Sequence, residues 1–282
     1  MEKLLQKAEV LIEALPYIRN FYKRTFVIKY GGAAQVSEQL TEAFAKDIVL
    51  FNYVGINTVI VHGGGPRISK IMERLGKIPQ FIDGQRVTDA ETMEIAEMVL
   101  CGSINKEIVM LLHRYGGKAV GLSGKDGGLI EAKKRQGTVD LGYVGEVDNV
   151  NPVILTSLDE KGFIPVIAPI GFNQLGETFN INADAVAGAV AGAIKAEKLI
   201  LLTDVPGVLD EHGKVISTIR KNEVRSLIDK KVISGGMLPK IKACLSALEG
   251  GVNKTHIVDG RIPNCLLLEI FTQKGIGTEI IL

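Results

Sequence analysis

Val59-Ile60-Val61-His62-Gly63-Gly64-Gly65-Pro66 is an apolar, β-branched run that ends abruptly in three glycines and a proline. Its length suits a buried strand, and the Gly-Gly-Gly-Pro ending marks a turn into the next element. The same grammar stands earlier, at Val27-Ile28-Lys29-Tyr30-Gly31-Gly32. Outward from these two stretches, from residue 25 onward, short β-branched runs alternate with longer helical patterns, which predicts an α/β protein with a largely parallel sheet. Strands are predicted at 26–30, 58–62, 119–122, 165–169, 199–203 and 256–258, and an antiparallel hairpin at 129–132 and 143–147. Helices are predicted at 39–52, 68–75, 90–114, 152–160, 183–196, 221–230, 238–248 and 265–271. A cluster of Gly, Asn and Gln at 172–180 is where two lobes would meet, giving segments 1–24, 25–175 and 176–282.

A chain of 282 residues can bury a large core in one or two domains. Its 33 Lys+Arg against 32 Asp+Glu leave no basic excess for nucleic acid or a membrane surface, so neither is expected as a partner and any bound anion must be met locally. Cys101, Cys244 and Cys265 cannot all pair within the chain, and none shares a metal-ligand spacing with another Cys or His; a reducing, cytoplasmic setting is predicted. An acid at position 2 and the lack of a long apolar core argue against a signal peptide. The small-apolar run 185–194 is about half a membrane span and reads as a helix packed closely on a sheet.

The first 24 residues differ in kind. Leu4, Ala8, Leu11, Leu15, Ile18 and Tyr22 recur in steps of four and three, a helical stripe, and Pro16 should break or kink that helix near Leu15 into two segments. The stripe either covers the monomer's own sheet or packs against another subunit.

The chemistry gathers at glycine turns, where backbone N–H groups approach an anion with no Cβ in the way. A third turn, Ser234-Gly235-Gly236-Met237-Leu238-Pro239-Lys240, opens a helix and puts Lys240 in its first turn, where the helix dipole opposes a cation unless an anion sits nearby. In Asn180-Ile181-Asn182-Ala183-Asp184, helix capping accounts for Asn182 and suits Asp184, but leaves Asn180 unexplained. No G-x-x-x-x-G-K-[ST] and no G-x-G-x-x-G after the first strand occur, which argues against a Walker-type ATPase and a standard dinucleotide enzyme. His62-Gly63-Gly64-Gly65 resembles an esterase oxyanion strand, but the G-x-S-x-G that an esterase needs is missing.

Six stretches in one order, Lys29–Gly32, Val59–Gly65, Asp83–Thr88, Asn180–Asp184, Leu201–Val208 and Gly235–Lys240, make the chain resemble the amino acid kinase family, in particular its branch acting on N-acetyl-L-glutamate, over essentially its whole length. The resemblance implies a three-layer α/β sandwich with a mainly parallel open central sheet plus a kinked N-terminal helix. It implies ATP with Mg²⁺ held through the ATP phosphates rather than by protein ligands, and N-acetyl-L-glutamate as acceptor. Lys29 and Lys240 would stabilise the transferring phosphoryl group and Asp184 would hold them in place. Gly31, Gly32, Gly64 and Gly65 would offer N–H groups to phosphate and acyl substrate, and Arg86 and Asn180 would bind the acyl amino acid. Thr203, Asp204, Val205 and Leu209, with Gly235, Gly236 and Met237, would bed the nucleotide. Arginine-sensitive members carry an N-terminal helix that links dimers into a hexamer, a trimer of dimers, and the resemblance extends to an inhibitory L-arginine site at His256, Glu269 and Gly275. For Glu269, a solvated helix-end carboxylate is the plainer alternative. Kinases of free glutamate, aspartate or a carrier-linked aminoadipate remain open, as does an arginine- or nucleotide-binding module without catalysis.

Overall fold

The computed structural model describes residues 1–32 and 37–282, without the side chains of residues 2–4, 6 and 7, so Leu4 of the N-terminal stripe lies outside the described side chains. After helix α1 (Glu2–Phe21) come β1 (Thr25–Tyr30), α2 (Glu38–Tyr53), β2 (Asn57–His62), α3 (Gly65–Arg74) and the short pair β3 (Phe81–Ile82) and β4 (Gln85–Arg86). Next are α4 (Ala90–Glu97), a π-helix (Met98–Ile104), α5 (Asn105–Arg114), β5 (Ala119–Ser123), β6 (Ile130–Lys134), β7 (Val144–Val150), α6 (Val153–Asp159), β8 (Ile164–Ala168), β9 (Ile170–Phe172) and β10 (Thr178–Ile181). The chain continues through α7 (Ala183–Ala193), β11 (Lys198–Thr203), β12 (Thr218–Arg220), α8 (Lys221–Asp229), α9 (Met237–Glu249), β13 (Lys254–Asp259), α10 (Cys265–Ile270) and β14 (Thr278–Ile281).

The central sheet has eight strands in the order β12-β14-β13-β11-β1-β2-β8-β5, and every neighbouring pair is parallel except β13–β14. One half comes from residues 25–175 and the other from 176–282, joined at the β1–β11 pair. Apart from this sheet, β6, β7, β9 and β10 close a small barrel, in which the expected hairpin is the antiparallel β6–β7 pair.

Alternation along the strands builds the layers. On β1, Phe26, Ile28 and Tyr30 enter a core shared with α2, α4 and α5, while Val27 enters the opposite core with α7 and α9. Lys29 shares the Val27 face, so it is turned toward the helices that carry Asp184 and Lys240. Those helices, α7 and α9, meet backbone to backbone: a Cβ on Gly188 would lie 2.7 Å from the Ala243 carbonyl oxygen. The run 185–194, expected to pack closely on a sheet, makes this close contact with a helix instead. No helix among the described residues is long and apolar enough to cross a membrane.

Two expectations change. The helix predicted over 90–114 is interrupted by the π-helix, whose wider turns give no signal in apolar spacing. Helix α1 runs through Pro16 as one helix, so no break occurs there. The missing Pro16 N–H orphans a carbonyl one turn earlier, at Ile12, and Ile12 is exposed, so water can replace that bond. Nor does the stripe cover the monomer's own sheet. Leu11 and Leu15 are 73% and 51% exposed, and the helix meets the body through Tyr17 and Phe21, which contact Phe271 and Phe26.

Candidate active site

The carboxyl ends of adjacent parallel strands are where an open α/β sheet presents its loops, and β1 and β2 deliver their glycine turns there side by side. Gly63 N–H donates to the Tyr30 carbonyl at 2.8 Å, and a Cβ on Gly31 would lie 3.4 Å from both the Gly63 nitrogen and the Lys29 ammonium. The turn before α3 and the end of β1 thus form one surface of backbone.

Asp184 joins this surface to the other half of the sheet. Asn182 caps α7 as expected, its Oδ1 accepting from the Asp184 and Ala185 N–H groups at 2.8 and 3.2 Å. The Asp184 carboxylate, 5% exposed, then lies 3.0 Å from Lys29 Nζ and accepts a hydrogen bond from Lys240 Nζ at 2.9 Å. Burial by itself would raise the Asp184 pKa, but the two ammonium charges overcome that and hold it below the usual carboxylate range. Lys240 does sit in the first turn of α9, and Asp184 is the anion that offsets its conflict with the helix dipole. The three side chains carry a net positive charge, which suits a phosphoryl group.

Beside them opens a cavity of about 850 Å³, lined among others by Gly64, Gly65, Arg86, Arg135, Asn180 and Asn182. Arg86 is held rigidly: its guanidinium donates to the Gly65 carbonyl and to Ser69 Oγ, each at 2.8 Å, and stacks 4.7 Å from the Phe81 ring centroid. Burial lowers its pKa without discharging it. Asn180, which capping did not explain, sits on β10 and lines the same space. The sequence reading did not single out Arg135, which reaches the cavity from the end of the β6–β7 hairpin and donates to Gln85. Gly31 is buried, and Gly32, exposed with φ 60°, follows it.

The residues expected to bed a nucleotide lie elsewhere on the same edge. Thr203 ends β11, with its hydroxyl donating to Asp204 at 3.2 Å; Val205 and Leu209 follow in the next loop. Gly235, Gly236 and Met237 open α9, three to five residues before Lys240, with open space above both glycines. None of these residues lines the 850 Å³ cavity.

The second predicted cluster is also assembled. Glu269, 8% exposed, accepts from His256 Nδ1 at 2.7 Å and from the Ile276 and Gly277 N–H groups at 2.6 and 3.0 Å. A Cβ on Gly275 would press on this carboxylate. Glu269 is therefore buried and fully engaged, not a solvated helix-end carboxylate. Lys198, missed in the sequence, donates to His256 Nε2 at 3.0 Å and lies 5.3 Å from the Phe21 ring of α1. A lysine at the head of an apolar strand carries no periodic signal; the β11–β13 register, with Ile200 opposite His256, is what brings it there. Burial depresses the His256 pKa, and the neutral ring fits between a donor and an acceptor; Glu269 is held low despite burial by its bond from His256.

A sequence model described as the amino acid kinase family matches residues 24–259. The chain belongs to the amino acid kinase family. Among curated members, it is 56% identical to the acetylglutamate kinase of Syntrophus aciditrophicus (strain SB), covering 100% of this chain and 99% of that one. With the acetylglutamate kinase of Geotalea daltonii (strain DSM 22248 / JCM 15807 / FRC-32) it shares 57% identity over 99% of each chain. Among solved structures, N-acetylglutamate synthase from Neisseria gonorrhoeae, complexed with coenzyme A and N-acetyl-glutamate, superposes with a TM-score of 0.87 at 28% identity; the match covers 98% of this chain and 63% of that one. The same synthase complexed with coenzyme A and L-arginine gives 0.83 at 27% identity, over 97% and 65%. Carbamate kinase from Giardia lamblia, bound to AMP-PNP, gives 0.67 at 14% identity and speaks for the amino acid kinase fold alone.

Proposed function

We propose that the chain transfers the γ-phosphoryl group of ATP to the side-chain carboxylate of N-acetyl-L-glutamate, giving N-acetyl-L-glutamyl 5-phosphate on the route to arginine. The observation that carries the mechanism is the buried Lys29–Asp184–Lys240 set, in which Lys240 follows the glycine turn that opens α9. The acceptor carboxylate is already ionised at neutral pH, so no general base is required. The difficulty is bringing an anion to a polyanion, and preorganised positive charge overcomes it. Residues 25–175, with Asn180 from the following segment, hold the acyl amino acid: Arg86 takes its free carboxylate through guanidinium donors, and Asn180 and the Gly65 N–H take its acetamido group. Residues 176–282 hold the nucleotide along Thr203, Asp204, Val205, Leu209 and the Gly235–Met237 turn. Lys29 and Lys240 stand on either side of the moving phosphoryl group, with Gly31, Gly32 and Gly64 N–H groups turned to its oxygens. Among the described residues, no group of three or more His, Cys, Asp or Glu is placed to hold an ion, and Asp184 is engaged by both lysines. Mg²⁺ brought in with ATP would supply neutralisation of phosphate charge, beside the lysines.

The test is an ADP-release assay with N-acetylglutamate, glutamate, aspartate and a carrier-linked aminoadipate side by side. Turnover is expected with the first. Turnover confined to another of the four would displace the assignment.

Regulation by L-arginine is a second reading, favoured by the His256–Glu269 pair under Gly275 and by the arginine complex of the Neisseria synthase. It fits a cytoplasmic biosynthetic enzyme whose α1 exposes Leu5, Val10, Leu11, Ile12 and Leu15, an apolar surface that joins dimers into a hexamer. Arginine titrations of the parent and Glu269→Gln chains test it: inhibition is expected in the parent and lost in the variant.

A further inference from the structure

His62 closes β2 and is fully buried on the face opposite Lys29, directly beneath the Gly63-Gly64-Gly65 turn. Its ring is fixed from both sides. Nδ1 lies 3.0 Å from the Gly63 carbonyl oxygen, and Nε2 lies 3.2 Å from the amide nitrogen of Asn105, which is itself 1% exposed.

The orientation of Asn105 settles which ring nitrogen bears the proton. Asn105 Nδ2 is 2.8 Å from the Val166 carbonyl and 3.3 Å from the Leu122 carbonyl, and carbonyls only accept; Asn105 Oδ1 accepts from Lys106 Nζ at 3.1 Å. The Asn105 amide therefore donates to His62 Nε2. The ring is left as the Nδ1–H tautomer, donating to the Gly63 carbonyl. Burial draws the His62 pKa down to about 4, so this neutral form persists at working pH.

A planar peptide converts that bond into an orientation. The Gly63 C=O and the Gly64 N–H belong to one rigid unit and point opposite ways. Holding the carbonyl down onto His62 aims the Gly64 N–H up, away from the core. The π-helix braces the same unit. A Cβ on Gly64 would collide with Leu100 and Ile104, both in the π-helix, and Asn105 is the first residue after it. Gly121 on β5 lacks a side chain where the Asn105 amide must pass.

We propose that His62 and Asn105 are positioning residues for phosphoryl transfer, holding the Gly64 N–H on the transferring group by anchoring the far side of its peptide. This rests on the role given above to the Gly64 N–H. A misaimed donor weakens the transition state more than substrate binding.

The test compares His62→Phe, which has no donor, with His62→Asn, whose Nδ2 takes the place of Nδ1. For folded protein, His62→Phe should lower kcat on the order of 10- to 100-fold while KM for both substrates moves less than about threefold. His62→Asn should recover most of kcat although it loses stability to a similar degree. Long-range ¹H–¹⁵N spectra of the parent chain should show His62 as the neutral Nδ1–H tautomer at pH 7. Equal loss of kcat in both variants, an unchanged kcat in folded His62→Phe, or an Nε2–H tautomer would each overturn the proposal. A parent chain with no kinase turnover is a different failure, that of the activity itself, and leaves the tautomer measurement standing.

Discussion

Asp184 and Glu269 are both buried carboxylates reached by a lysine-bearing cluster, yet they are satisfied in different ways. Asp184 is held by two cationic side chains that stand on separate elements, β1 and α9, and among the described residues no backbone donor takes its oxygens. Glu269 is held by a neutral imidazole and two backbone N–H groups of one loop, with Lys198 one bond further out. The first arrangement carries excess positive charge and is ready for an anion. The second is close to neutral and knits α10, β13 and the loop before β14 together. The difference separates a charged centre built for a reaction from a carboxylate that organises its neighbours.

The sharpest way to break the comparison is at the lysines. Lys29→Ala or Lys240→Ala should lower kcat by about 10²–10³, by analogy with removing one transition-state donor, while a thermal melt shows a folded chain. Retained turnover would mean that the charge at Asp184 is structural. Glu269→Ala should do the reverse. It strands His256 and two N–H groups, at about 1–3 kcal/mol for each buried donor left unpaired, so urea melts should show a loss of several kcal/mol while kcat without arginine changes little.

Acid sharpens the comparison further. The depressed carboxylates keep their contribution above the ordinary carboxylate range and lose it only as pH falls through their lowered values. His62, neutral down to about pH 4, contributes above its unfolded value near 6.5. Its share should fall by about 2 kcal/mol between pH 7.5 and 5. Asp47 works the other way. Burial raises its pKa to about 6, so its favourable protonation fades as pH rises through 6, and Asp47→Asn should steepen the acid loss seen in urea melts. The smallest expected effect on turnover comes from deleting residues 1–20. Light scattering should show the proposed hexamer reduced to a dimer, with the proposed arginine inhibition weakened and kcat nearly unchanged.

The strands were legible because β-branched runs ending in glycine mean nearly the same thing wherever they occur, and β1, β2 and β11 fall within a residue of expectation. Lys29, Asp184 and Lys240 were legible through the order of the motifs. Nothing in their spacing required that Asp184 meet a lysine 56 positions later. What stayed hidden depends on the third dimension or on a local irregularity. The π-helix changes register without changing composition. The outward face of α1 reads as apolar whichever way the helix points. Lys198 and Asn105 draw their importance from strands and helices far away in sequence.

The contact between Gly188 and Ala243 lies one turn below Asp184 and Lys240 on α7 and α9. With bare backbone between the two helices, no flexible side chain intervenes where they meet, and the Asp184–Lys240 pair spans the same close approach. Lys29 rides on a strand of the other half-sheet. The separation of Asp184 from Lys240 is thus set by a side chain that Gly188 lacks, while its separation from Lys29 is set by the β1–β11 pairing at the centre of the sheet.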